Sequence, residues 1–169
     1  MRKALLGAIL IAAVSTFGDF VWAGLGLRHR VVFGLTHGAL LFLCIGAYLG
    51  SLERQALRGA IAGAIIGFTA AGSFYVLAPV AGYSVMFAVW GFVWLALAAL
   101  TRAGSWRETL TRGTLAMIGS GLGFYLISGI WRPFDPQGWD YAMHWVSWTV
   151  AYLPGLLALT HQSPVVSRQ

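Results

Sequence analysis

The sequence predicts an all-α membrane protein, a bundle of six transmembrane helices with short loops forming one domain over residues 1–169, and three observations carry that expectation. Only 9% of the residues are charged and 59% are hydrophobic, whereas a soluble domain carries about 25% charged residues. The apolar residues gather in six runs, and a helical crossing takes about 20 residues. Within each run apolar character continues all round the helix, where a membrane barrel would show alternating blocks of about 10 residues. A helix also satisfies every backbone polar group inside its own segment, as a lipid environment demands.

The spans expected are 4–26, 31–50, 58–79, 83–101, 112–131 and 141–160. Met1-Arg2-Lys3 followed by Ala4 to Val14 and Ser15 has the layout of a signal peptide. The apolar stretch continues through Trp22 to Leu27, which favours a retained first helix. Between the spans lie Arg28-His29-Arg30, Ser51 to Leu57, Val80-Ala81-Gly82, Ala103 to Thr111, and the polar Arg132 to Asp140. Pro79 with Gly82 is expected to make a sharp turn, since proline lacks a backbone donor and glycine accepts positive φ.

Glycines recur every fourth residue at Gly59, Gly63 and Gly67, and pair at Gly34 with Gly38 and at Gly119 with Gly123. Such bare faces admit a close neighbour, either within the chain or in a second copy as a homo-oligomer joined through Gly-x-x-x-Gly faces. Trp22, Trp106, Trp131, Trp139 and Trp145 fall near span ends or in loops, where indole rings anchor at the headgroup level.

The net charge is +6 and the pI about 10.1, but the basic residues stand singly at the ends of apolar runs, so no nucleic-acid partner is expected. On the side of the N-terminus lie Arg2, Lys3, Arg54, Arg58, Arg102, Arg107, Arg112 and Arg168, against Arg28, Arg30 and Arg132 on the other. The positive-inside rule then puts both termini in the cytoplasm of a multi-pass inner-membrane protein. The single cysteine, Cys44, permits no internal disulfide and reads as a buried small hydrophobe.

Asp19 is the residue whose place most needs explaining, because an acid at a helix centre costs about 2.5 to 3.5 kcal/mol on insertion scales. His37 is its expected partner: both lie at a similar depth from the outer end, on helices that a short link should make neighbours. Ser73, Tyr75, Ser84, Tyr125, Ser128 and His144 fall in the same outer half. That suggests a pocket with a polar head and an apolar body. Gly67, Gly72 and their small neighbours would leave room, and Phe68, Phe74, Phe87, Trp90 and Phe124 would line a slot.

The chain has no phosphate-binding loop with lysine, no His-Glu-x-x-His, no Gly-x-Ser-x-Gly and no cluster of carboxylates. No cofactor is expected and the protein is read as non-enzymatic. The competing readings are proton-linked transport through Asp19, acid-base chemistry by Asp19 with His37, and a bis-histidine haem site at His37 and His144.

The run Gly123-Phe124-Tyr125-Leu126-Ile127-Ser128-Gly129-Ile130-Trp131, the polar turn after it, and Tyr141-Ala142-Met143-His144-Trp145-Val146-Ser147-Trp148 resemble helix 5, the following loop and the start of helix 6 of the insulin-induced gene (Insig) family. The resemblance covers roughly residues 35–150. It implies six helices, cytoplasmic termini, a lipid held in a cavity between the helices (a sterol in eukaryotic members, a glycerolipid in bacterial ones), binding to a partner membrane protein, and no catalytic residue. The orientation is checked by fusing a reporter active only in the periplasm after Gln169. It should be silent there, and strong activity would reverse the topology.

Overall fold

The computed structural model describes residues 1–24, 29–82, 84–101, 105–125 and 137–160, without the side chains of Trp22, Arg30 and Phe124. Over these residues the chain forms six α-helices: α1 Arg2–Gly24, α2 Arg30–Leu52, α3 Ala56–Ala81, α4 Val85–Leu100, α5 Trp106–Phe124 and α6 Asp140–Thr160. Three of them, α1, α2 and α3, are long and apolar enough to cross a membrane, and α4 is apolar but shorter. Each helix packs on the next, and α6 returns to α1, so the six close into a ring. Trp94, Val93 and Leu97 of α4, Ile45 and Leu49 of α2, and Tyr152 and Leu156 of α6 fill its interior.

Two boundaries differ instructively from the sequence expectation. Helix α5 begins at Trp106 rather than near residue 112, because Ser105 in extended backbone caps it: its Oγ accepts from the Glu108 N–H at 3.3 Å. Glu108 then pairs with Arg112 one turn on, at 2.6 Å. Pro79 does not end α3, which runs on to Ala81. The bond proline omits is the one back to the fourth residue before it, in the last turns where little is lost. The turn itself is made at Gly82, with φ 71° and its N–H on the Ala78 carbonyl at 2.9 Å.

Glycine sets the closest contacts. A Cβ on Gly59, Gly63 or Gly67 of α3 would collide with the backbone oxygens of Gly46, Phe42 and Gly38 of α2 respectively. The two backbones therefore touch along about two turns. Gly123 faces the Val150 carbonyl, where a Cβ would come within 2.9 Å, and Gly119 makes room for Pro154 of α6 in the same way. These glycine faces are occupied by α2 and α6. On α1 the fully buried Ala4, Ala8 and Ala12 form a small-residue stripe of the same period.

Outward, every helix presents large apolar side chains that are half or more exposed: Phe17, Val32, Val76, Phe92, Leu115 and Met143 among them. The Gly63→Leu variant should lose about 1 to 3 kcal/mol of stability through overpacking. Gly72→Ala should be tolerated, since its Cβ would meet only Leu35 Cδ2 at 3.7 Å. Equilibrium unfolding in mixed micelles compares the two. Equal stability of both variants would contradict the backbone contact.

Candidate functional site

Asp19 lies five residues before the end of α1 and His144 four residues after the start of α6, so each stands about 6 to 8 Å inside its helix end. Their side chains meet: His144 Nδ1 is 3.0 Å from Asp19 Oδ2. Trp148, one turn further along α6, donates from Nε1 to the same oxygen at 2.9 Å. His144 is 2% exposed, whereas the Asp19 side chain keeps 19% of its surface open.

Periodicity extends the contact downward. Four residues before Asp19, the Ser15 hydroxyl bonds the Tyr152 hydroxyl at 3.0 Å, and Tyr152 follows Trp148 by four. Trp148 and Tyr152 stack with centroids 5.5 Å apart at 14°. Two facing stripes result, Ser15 and Asp19 on α1 against His144, Trp148 and Tyr152 on α6. Helix α6 thus brings two donors to the acid beside His37 of α2, the partner that the sequence leads one to expect. Helix α1 packs more extensively against α6 than against α2. His37 still reaches the same turn: its ring presses on Gly18 and stacks on Phe33 at 5.8 Å.

Trp90 of α4 adjoins this centre, with ring centroids 6.4 Å from Trp148 and 5.8 Å from Tyr152. Its other side lines a groove between α4 and α5 of about 310 Å³, completed by Phe87, Met117, Ile118, Gly121, Leu122 and Tyr125. Phe87 and Tyr125 stand across its end, 6.0 Å between centroids. Trp90 is thus the partition between a polar centre and an apolar groove.

Of the predicted site residues the structure gathers Asp19 with His144, and Phe87, Trp90 and Tyr125 in the groove. Those on α3 do not join them. Gly67 is pressed on the Gly38 backbone, Phe68 points outward at 55% exposure, and Gly72 sits beside Leu35. Phe74 meets Tyr75 edge-on at 5.4 Å, while Tyr75 covers Gly34 with its hydroxyl. Along Gly59, Gly63 and Gly67 the small residues of α3 let the α2 backbone close in. The Phe124 side chain, Trp131, Ser128 and the 126–136 segment lie outside the described residues.

Sequence reasoning missed Ser15, Trp148 and Tyr152 in the centre and Met117, Ile118, Gly121 and Leu122 in the groove. The available signal was the four-residue spacing His144, Trp148, Tyr152 on one helix face. Comparison with known families, curated proteins and solved structures gives no match for the chain.

Breaking the centre from either side strands a buried polar group. Asp19→Ala and His144→Ala should each cost about 1 to 4 kcal/mol. The double variant should lose less than the sum, by about 0.5 to 3 kcal/mol. Unfolding titrations of the four proteins give the coupling directly, and strict additivity would mean the two side chains do not meet.

Proposed function

We propose that this chain is a non-enzymatic, multi-pass inner-membrane protein of the Insig-like type that holds one chain of a lipid, diacylglycerol-like or sterol-like, in the groove between α4 and α5. In this reading all six helices cross the bilayer with both termini in the cytoplasm, and lipid occupancy regulates a partner membrane protein. The observation that carries it is the groove itself: about 310 Å³, bounded by aromatic and aliphatic side chains, and open along one flank. Ligand sites are concave and mostly apolar, with a few polar groups fixing orientation. Here the Tyr125 hydroxyl supplies a polar group on the groove's lining.

The membrane part of the reading is supported by the outward apolar side chains on all six helices. Contiguous exposed apolar surface on that scale suits lipid, not water. Exposed Trp106 and Trp139 stand at helix starts, where interfacial indoles sit. Helix α5 carries Arg107, Glu108 and Arg112 on its first two turns, consistent with that end standing in the cytoplasmic headgroup layer.

Native mass spectrometry of gently purified protein tests the binding. Wild type should carry lipid above empty-detergent controls. In Gly121→Phe the added ring would fill the groove, since the site of a Cβ there is open to Trp90 Cδ1 at 4.0 Å. That variant should fold normally and lose lipid about tenfold, a difference of about 1.4 kcal/mol. Bare wild-type protein, or undiminished lipid in Gly121→Phe, would remove the proposal.

A further inference from the structure

Helices α4 and α5 meet in antiparallel register: Leu95 and Ala98 lie against Gly113, Gly91 against Met117, Trp90 against Gly121 and Phe87 against Tyr125. Their separation changes along that register. A Cβ on the buried Gly113 would come within 3.0 Å of both Leu95 Cδ2 and Ala98 Cβ. One on Gly91 would meet the Met117 thioether, Sδ at 2.8 Å and Cγ at 3.3 Å. One turn beyond Met117, a Cβ on Gly121 would find only Trp90 Cδ1, at 4.0 Å. The groove is therefore a wedge, shut at Met117 and widening toward Tyr125.

Taking this groove as the lipid site, a reading on which the present one rests, we propose that it receives a single unbranched acyl chain tail first, with the terminal methyl against the Met117 thioether. Met117 is then the stop that sets how much chain is held. Met117 and Tyr125 stand eight residues apart on α5, so the wedge is about 12 Å deep. An extended chain advances about 1.2 Å per bond, and about ten carbons fill that depth. Volume agrees independently. About 310 Å³ shared among about ten carbons leaves each about 30 Å³, the room of one water-sized group. One file of carbons fits, whereas a fused ring system needs two abreast.

The chemistry of the two ends fixes the direction. At the shut end stand Met117, Gly91 and Leu95, whose side chains offer no hydrogen-bond donor. A polar head carried there would lose its water without recompense, while a methyl group suits an unbranched, polarizable thioether. At the wide end Tyr125 is 47% exposed and brings a hydroxyl, a donor for an ester or hydroxyl oxygen.

Photo-labelling of the full chain in nanodiscs tests both the direction and the stop. Two glycerolipids are used, alike except that one acyl chain carries its diazirine at about the third or about the tenth carbon. Labelling that disappears in Gly121→Phe counts as groove labelling. The near-head probe should mark Tyr125 and the deep probe Met117, each at least about threefold over the other. In Met117→Ala a diazirine about three carbons further along should reach Leu95, which the wild type shields. The reverse order, or equal labelling of both residues by both probes, would overturn the inference and leave lipid binding standing. So would a diazirine sterol that marks the groove where neither glycerolipid does. No groove labelling by any of these lipids would remove the lipid reading and this one together. Should Met117→Ala fail to fold, the two wild-type patterns decide alone.

Discussion

A carboxylate held among apolar helices has to be met by hydrogen-bond donors, and the way Asp19 is met organises this bundle. Water cannot do it at that depth without cost. Helix α6 supplies an imidazole and an indole on successive turns, both to one oxygen. Because these donors sit on the last helix and the acid on the first, satisfying the acid draws the two ends of the fold together. The ring of six closes there. The Ser15 to Tyr152 hydroxyl bond and the stacked Trp148 and Tyr152 rings then follow from the same helical register.

Glycine has the opposite effect to the one its size suggests. A missing side chain looks like empty space in a sequence, yet in a bundle the neighbouring backbone moves into it. Along α2 and α3 the result is carbonyl against Cα, with no room for a ligand. Space survives where large side chains prop two helices apart, as Trp90, Phe87 and Tyr125 do between α4 and α5. Dispersion over a whole glycine face is worth more than a void, whose lining atoms forfeit their contacts.

The helical architecture was legible because it is written in local quantities: apolar run length, composition and the four-residue glycine period. That Asp19 stands inside α1 and not in a loop was legible for the same reason. That α6 would also meet Asp19 was less so. Chain proximity points to α2, while the extensive packing of α1 on α6, the last helix in the chain, is a long-range feature that no local pattern announces. Helix α5 lost its first six residues in the sequence reading because they are polar, although Ser105 and Glu108 carry a capping pattern independent of hydropathy. Groove residues such as Met117 and Ile118 have no distinguishing chemistry, and only the tertiary arrangement selects them.

The separation of Asp19 from His144 by 125 positions has a consequence for biogenesis. Chains emerge from the ribosome N-terminus first. Helix α1 is therefore complete, acid included, long before the α6 donors exist. During that interval α2 and α3 can zip together as soon as both are made. Ring closure by α6 becomes the step that sets the imidazole and indole on the acid. A nascent chain cut short before α6 lacks the imidazole and indole that the finished fold sets on Asp19, a mark by which incomplete copies differ from finished ones.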